Sequence, residues 1–269
     1  MNGSSRSIAI KKNIIASLFL KGVSILVSLQ VVPLTINYIN PTRYGIWLTL
    51  SSIIAWLSYF DLGFAHGFRN RFAEAVAKGD MQLAREYVST TYVVLSLLFS
   101  SVFLIAIVVN HFVDWSAILN VDAAYSSELN IVFGILAFFF CLNIVASIFT
   151  TMLTANQKPA LASLIQTLGQ VFGFICIYIL TKTVPGNLDV LAFAFSGVPC
   201  FLLIIISIGM FLSGRYRHLS PSFHFVHFSL TKKIVGLGGQ FFIIMISMLF
   251  VFQLINIVIS RVAGPMAVT

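Results

Sequence analysis

The sequence predicts an all-α protein, a polytopic bundle of transmembrane helices. Hydrophobic residues make up 59% of the 269 residues and charged residues only 9%, and so few charges cannot cover the surface of a soluble domain. The apolar residues also fall into runs long enough to cross about 30 Å of hydrocarbon, which takes about 20 helical residues. Because hydrocarbon offers no hydrogen-bond partner to the backbone, such runs must be helices.

Seven apolar runs meet this length requirement, and we predict a transmembrane helix for each. Their approximate bounds are 14–39, 45–66, 87–109, 129–153, 161–181, 190–213 and 234–259. The first run follows three basic residues, as the apolar part of a signal peptide would. It is too long for that role, however, and no small-residue cleavage site ends it. We therefore interpret it as an uncleaved first helix.

The connections between the first spans carry recognisable local signals. Residues 40–45 have strong turn chemistry and predict a tight hairpin between the first two spans. A short interfacial helix is expected next, with Phe68, Phe72 and Val76 facing the bilayer. Asp80 then suits the N-cap position of the third span.

The chain is predicted to divide after its sixth span. The loop 214–233 is rich in His, Phe and Ser and forms a natural boundary. The segments 31–45 and 252–269 resemble each other, since each closes an apolar helix with a turn that contains Gly and Pro. Many transporters are built from repeated bundles. We therefore predict a six-helix lobe over 1–232, followed in 233–269 by the first helix of a truncated second lobe.

The net charge of +8 follows membrane topology and does not indicate nucleic-acid binding. Four segments, 1–13, 67–86, 154–160 and 214–233, hold twelve of the sixteen Lys and Arg residues. The loop 110–128 has three acidic residues and no Lys or Arg. The positive-inside rule then places the N-terminus in the cytoplasm. An odd number of spans leaves the C-terminus of this chain outside.

The sequence shows no sign of catalytic chemistry. Cys141, Cys176 and Cys200 all lie within predicted spans and are expected to be small packing residues, not a disulfide framework or a metal site. No G-x-x-x-x-G-K-[ST] phosphate loop is present, and no nucleophile lies at a suitable spacing from a base. We expect no cofactor and no enzymatic activity.

Polar side chains recur at helical spacing within four of the spans. The four stripes are Ser17, Lys21, Ser24, Ser28 and Thr35; Asn143, Ser147, Thr150 and Thr154; Ser163, Gln166 and Gln170; and Gln253, Asn256 and Ser260. Ser and Thr alone are typical of close helix packing in membranes. Stripes that also carry Lys, Asn or Gln favour the lining of a hydrated cavity.

Two charged residues lie inside the first two spans. Lys21 and Asp61 are each twenty residues from Pro41, at the hairpin turn, so the two are expected at similar depth toward the cytoplasm. Ionisable groups within a membrane are costly and usually functional. Lys21 is therefore either the partner of Asp61 or a cation for an anionic substrate. The alternative is that Lys21 snorkels to the interface while Asp61 bonds nearby backbone or Arg69.

Two elements in the first hundred residues are specific. They are Tyr44-Gly45-Ile46-Trp47, within 17–50, and Asp61-Leu62-Gly63 with Gly67-Phe68-Arg69-Asn70, within 56–90. Residues 14–100 resemble the N-terminal part of polysaccharide flippases in the multidrug/oligosaccharidyl-lipid/polysaccharide exporter superfamily; beyond them only the span pattern matches. The resemblance implies two six-helix lobes around a central cavity. It also implies export of a lipid-linked oligosaccharide for O-antigen or capsule assembly. Members usually have twelve or more spans.

We therefore predict a bacterial inner-membrane flippase, or its N-terminal portion, for undecaprenyl-diphosphate-linked oligosaccharide. A cationic cavity would bind the headgroup by alternating access while the prenyl tail stays in lipid. Expected partners are membrane lipids, the lipid-linked oligosaccharide and polysaccharide polymerase or glycosyltransferase machinery, with no nucleic acid. The candidate substrate-binding residues are Lys21, Asp61, Arg69, Arg71, Asn143, Gln166 and Gln170.

Two other functions fit the same architecture. An ion-coupled multidrug exporter would bind cationic drugs with intramembrane carboxylates, and only Asp61 could serve in that way. A non-transporting membrane scaffold of a glycan-assembly complex would need no substrate cavity.

Overall fold

The computed structural model describes residues 3–56, 63–119, 121–240, 243–244 and 247. These residues form helices and turns without a strand, which confirms the predicted all-α class. The helices are, in chain order, α1 (Gly3–Ile39), α2 (Pro41–Trp56), α3 (Phe64–Ala77), α4 (Met81–Phe112), α5 (Trp115–Leu119), α6 (Ser126–Ala146), α7 (Ile148–Ala155), α8 (Pro159–Thr183), α9 (Leu188–Leu212) and α10 (229–240). Short 3-10 turns lie at Ala123–Tyr125, Arg217–Leu219 and Phe223–Phe225.

Five helical stretches of the described chain are long and apolar enough to cross a membrane. They are Lys12–Ile39, Met81–Phe112, Ala123–Ala155, Pro159–Thr183 and Leu188–Leu212, and they correspond to predicted spans one, three, four, five and six. Predicted spans two and seven continue from α2 and α10 into residues outside the described set. The chain is thus a polytopic helical membrane protein.

The predicted hairpin between the first two spans is confirmed. Asn40 alone separates α1 from α2, with a φ of 74°, a left-handed conformation that Asn tolerates better than most residues. Its side-chain oxygen accepts a hydrogen bond from the Arg43 backbone N–H at 3.0 Å. Pro41 is the first residue of α2, where the missing N–H costs nothing.

The long helices pack side by side in a fixed order. The α1 helix packs on α8, α8 on α9, α9 on α6, and α6 on α4. Hydrogen bonds from Asn13, in the first third of α1, to the Gln157 carbonyl (3.4 Å) and from Tyr38, near its end, to the Pro185 carbonyl (3.2 Å) join α1 to the residues just before and just after α8. The α1 and α8 helices therefore run parallel.

The short helix expected after the second span is α3, but its apolar face is covered by protein. Phe68 and Phe72 have no exposed surface and belong to a core that α3 forms with α4 and α7. Val76 is half-buried and packs against the same core. The expectation that these residues face the bilayer was wrong. The predicted cap is confirmed, since the Asp80 carboxylate accepts from Leu83 N–H at 2.9 Å at the start of α4.

The described parts of the four basic segments meet at one end of the bundle, which we call the basic end. The bond from Asn13 to Gln157 joins the first segment to the third. Three more hydrogen bonds join the other segments: Lys158 Nζ to the Tyr216 hydroxyl (3.0 Å), Arg85 Nε to the Ser220 carbonyl (2.9 Å) and Arg71 Nε to the Lys233 carbonyl (3.4 Å). The α1–α2 turn lies at the opposite, hairpin end, where Arg43 pairs with Glu128 at 3.4 Å. The three cysteines are free thiols, and Cys141 and Cys200 are buried, in line with a packing role.

Candidate functional site

A polar cleft opens between α3, α7 and the start of α8. Its volume is about 330 Å³. We call it the polar cleft, and the polar residues that line it are His66, Arg69, Thr150, Thr151, Thr154, Ser163 and Gln166. Pro159, the first residue of α8, also contributes to the wall. The cleft therefore lies at the basic end.

The α3 helix presents Arg69 to the cleft because the neighbouring face of the helix is fixed in the core. The helix begins after Gly63, whose φ of 69° is left-handed and suits glycine. Phe68 and Phe72 anchor the helix in the protein core. Successive helical residues are rotated by about 100°, so Arg69 lies about 100° from Phe68 and about 60° from Phe72, at the edge of the buried face, and is exposed.

The threonines of the cleft come from α7, which is separated from α6 by a break at Ser147. The hydroxyl of Ser147 donates to the Ile144 carbonyl at 2.7 Å, and that of Thr150 donates to the Ser147 carbonyl at 2.9 Å. Such bonds compete with the helical backbone ladder and bend helices. The Thr154 hydroxyl likewise donates to the Thr150 carbonyl at 2.9 Å. Both threonine oxygens thus face the cleft as acceptors.

Three side chains of the cleft still have donors to offer. Within the described part of the chain, the side chains of Arg69, Ser163 and Gln166 make no hydrogen bond or ion pair. None of the described residues that line the cleft is acidic. A guanidinium presents five N–H donors in a planar fork that fits phosphate oxygens. The cleft is therefore suited to an anionic group flanked by hydroxyls.

The structure brings together several of the residues predicted from the sequence. Arg69 and Gln166 line the same cleft, and Gln170 lies one turn further along α8, where it accepts a hydrogen bond from the Ser24 hydroxyl. Lys21 is exposed on α1. The hydrogen bond from the Thr167 hydroxyl to the Leu20 carbonyl (3.4 Å) places Lys21 beside the α8 segment between the two glutamines.

Arg71, by contrast, is engaged elsewhere. It pairs with Glu74 at 3.0 Å and donates to the Lys233 carbonyl, so it ties α3 to α10. Lys78 also contacts Glu74, at 2.7 Å. The hydrogen bonds from Lys78 and then Arg71 lower the pKa of the Glu74 carboxyl below its ordinary value.

Each of the remaining predicted residues either does not line the cleft or lies outside the described residues. Asn143 is exposed on α6, before the break at Ser147, and does not line the cleft. Asp61 lies outside the described residues, as does the polar stripe of span seven. The pairing of Asp61 with Lys21 therefore stays a prediction.

Two residues of the cleft were missed by the sequence reasoning. His66 precedes Arg69 by three residues and so shares its face of α3, a signal that the sequence does contain. Thr151 also lines the cleft, although the predicted stripe passes through Thr150 and Thr154. The stripe was predicted for one straight helix, whereas the helix is broken at Ser147.

Comparison with known proteins adds one match. Residues 10–269 match the family model described as polysaccharide biosynthesis protein. Comparisons with curated proteins and with solved structures give no match. The family match extends the resemblance, noted above for the first hundred residues, over nearly the whole chain.

Proposed function

We propose, from the premise that this chain belongs to the polysaccharide biosynthesis protein family, that it is a flippase for a polyprenyl-diphosphate-linked saccharide. Family membership and five long apolar helices make it a membrane protein of polysaccharide biosynthesis. The translocation step, the lipid-linked substrate and the bacterial cytoplasmic membrane as its place are our inference.

The observation that carries this proposal is the set of polar-cleft donors that have no partner among the described residues. A diphosphate is stably hydrated in water, and its transfer into hydrocarbon without new partners is prohibitively costly. Fixed charged and polar donors can replace that hydration, because hydrogen bonds to an ionised group are short and strong. Arg69, Ser163 and Gln166 supply such donors within a bundle of membrane helices.

The side chains of the cleft suit two chemically different parts of the substrate headgroup, the diphosphate and the sugar. Arg69 is suited to the diphosphate, with Lys21 on the neighbouring α1 as a second cation. The amide of Gln166 and the oxygens of Thr150 and Thr154 are suited to sugar hydroxyls, which both donate and accept. With the basic end in the cytoplasm, the headgroup would enter there, and alternating access would release it on the other side.

The two rival functions make different demands on the same cleft. An exporter of cationic drugs needs a carboxylate, and the described lining of the cleft has a guanidinium and no acidic residue. A scaffold needs no cavity with unpaired donors. The observed cleft therefore favours an anionic substrate.

Substitution of Arg69 in a strain that lacks its own flippase tests the proposal. A lost charged hydrogen bond costs about 1.5–3 kcal/mol, so Arg69→Ala should lower surface polysaccharide by roughly tenfold or more at equal membrane abundance. Arg69→Lys should retain part of the export, since it keeps the charge but loses the fork. Arg217→Ala, an exposed residue at the same end but outside the cleft, is the matched control.

Two results would overturn the proposal. One is unchanged export from Arg69→Ala. The other is a well-expressed wild-type protein that restores no polysaccharide but still co-purifies with the polymerase, which is the behaviour of a scaffold.

A further inference from the structure

A second cavity, of about 470 Å³, lies between α1, α2, α8 and α9. Its walls are mainly apolar and aromatic, with Val27, Val31, Trp47, Phe174 and Phe195 among them; we call it the apolar cavity. Trp47 is buried, and its ring meets that of Phe195 edge to face at 5.1 Å between centroids. This contact gives the cavity a rigid aromatic wall.

Three of the polar side chains that line the apolar cavity are engaged within the protein. The Ser28 hydroxyl donates to the Ser24 carbonyl at 2.9 Å, and the Thr35 hydroxyl donates to the Val31 carbonyl at 2.7 Å. The amide oxygen of Gln170 accepts from the Ser24 hydroxyl. The Tyr44 hydroxyl and the amide N–H groups of Gln170 make no hydrogen bond among the described residues. The rest of the wall is mainly apolar, and such a wall favours hydrocarbon over water or sugar.

The apolar cavity continues the line of the polar cleft along one face of α8. At about 100° per residue, Ser163 and Gln166 of the cleft share a face with Gly173 and Ile177 of the cavity. A rise of 1.5 Å per residue separates Gln166 from Ile177 by roughly 16 Å. The two spaces therefore follow one another along the same face of α8, polar at the basic end and apolar toward the hairpin end.

The α1 helix shows the same change, from a charged residue near the basic end to apolar residues toward the hairpin end. Lys21 lies two helical turns, roughly 10 Å, closer to the basic end than Ser28 and on the same face. The cations Lys21 and Arg69 thus lie toward the basic end, and the aromatic walls of the apolar cavity lie toward the hairpin end. This arrangement is complementary to a lipid with an anionic headgroup and a hydrocarbon chain.

We propose that the apolar cavity binds the first isoprene units of the lipid carrier while its diphosphate occupies the polar cleft. The inference rests on the proposed function and changes one expectation from the sequence, that the whole prenyl tail stays in lipid. Only the distal part of the chain would then lie in the bilayer. Binding of the proximal part would fix the depth and orientation of the headgroup against Arg69.

Site-specific photo-crosslinking tests the assignment. A benzophenone amino acid replaces Val32 on α1 or Leu48 on α2, two exposed residues that line the cavity, or Leu29, an α1 residue that is 63% exposed and does not line it. The purified protein is placed in vesicles of phosphatidylglycerol with a small fraction of undecaprenyl phosphate, and adducts are identified by mass. At both cavity positions, undecaprenyl adducts should exceed their share of the lipid by roughly tenfold, a preference of 1.4 kcal/mol. Leu29 should sample the lipids in proportion.

The outcomes separate the two proposals. Undecaprenyl adducts in proportion to the lipid mixture at Val32 and Leu48 would overturn the tail site, even if Arg69 proves essential for export. Enriched adducts at both positions without export in the flippase-null strain would keep carrier binding and overturn translocation. The use of two positions on different helices guards against a local distortion at either one.

Discussion

At the scale of single residues, the chemistry of the cleft depends on which face of a helix a side chain occupies. Arg69 and Arg71 are two residues apart on α3 and were predicted as equivalent. A separation of two residues rotates them by about 200°, so Arg69 reaches the cleft while Arg71 pairs with Glu74. The sequence indicated both arginines, but only the packing of α3 distinguishes their roles.

Lys21 gives the sharpest prediction at this scale. If it binds the diphosphate, Lys21→Ala should reduce export by roughly tenfold or more without loss of protein, and Lys21→Arg should keep part of the activity, because charge matters more than shape here. Export is measured as surface polysaccharide, normalised to the amount of the variant in the membrane.

The alternatives for Lys21 give different patterns in the same assay. If it only neutralises Asp61, Lys21→Ala leaves a carboxylate without its partner and lowers membrane abundance. The double change with Asp61→Ala should then restore both abundance and export. Wild-type export from Lys21→Ala would contradict a binding role.

At the scale of elements, the apolar pattern predicted the positions of the helices well. It did not predict whether protein or lipid covers their apolar faces. A phenylalanine has the same preference for protein core as for hydrocarbon, so the sequence could not show that Phe68 and Phe72 are buried under α4 and α7. The break at Ser147 was equally hidden, since serine also occurs in straight membrane helices. Local chemistry was more reliable, and the turn at Asn40 and the cap at Asp80 were both predicted.

The close crossing of α3 and α10 also belongs to this scale. A Cβ atom built on Gly67 would overlap the Ile234 carbonyl oxygen, and one on Gly63 would overlap the Gly238 carbonyl oxygen. Two glycines four residues apart therefore let the backbones of these helices touch, as small residues do between membrane helices. The crossing holds α3, and with it Arg69, at a fixed position.

The glycine crossing predicts a difference between two identical substitutions. Gly67→Ala should destabilise the protein by about 1–3 kcal/mol, because two backbones must separate. Gly22→Ala in α1, where nothing lies within 4 Å of the added atom, should be neutral or stabilising by about 0.5–1 kcal/mol. Thermal unfolding in detergent measures both, and equal midpoints for the two variants would contradict the crossing.

At the scale of the whole molecule, charge distribution predicted which segments lie together. The four basic segments were expected on one side of the membrane, and contacts such as Lys158 with Tyr216 confirm that they share one end. The division into a six-helix lobe over 1–232 and a further helix in 233–269 stays a prediction, as does the side of the membrane that the basic end faces. The polar cleft could not be located from the sequence, because it depends on how α3, α7 and α8 pack.

Topology can be tested by cysteine labelling in a variant without native cysteines. A membrane-impermeant probe applied from outside should modify a cysteine at Asp122, in the acidic loop, but not one at Lys232, at the basic end. The physical reason is the positive-inside bias of the Lys and Arg residues. The reverse labelling pattern would place the basic end outside.

The most direct test of translocation uses purified protein in vesicles. A polyprenyl-diphosphate-linked saccharide with a fluorescent label on the sugar is present in both leaflets, and a membrane-impermeant reductant quenches the outer label. Without a flippase, lipid exchange between the leaflets is slow, because a charged headgroup does not cross hydrocarbon unaided. About half of the fluorescence, that of the inner leaflet, then stays protected from the reductant. Wild-type protein should remove most of the protected half, and Arg69→Ala should do so at least about tenfold more slowly. Retention of the full protected half with folded wild-type protein, or equal rates for wild type and Arg69→Ala, would contradict a flippase that acts through the polar cleft.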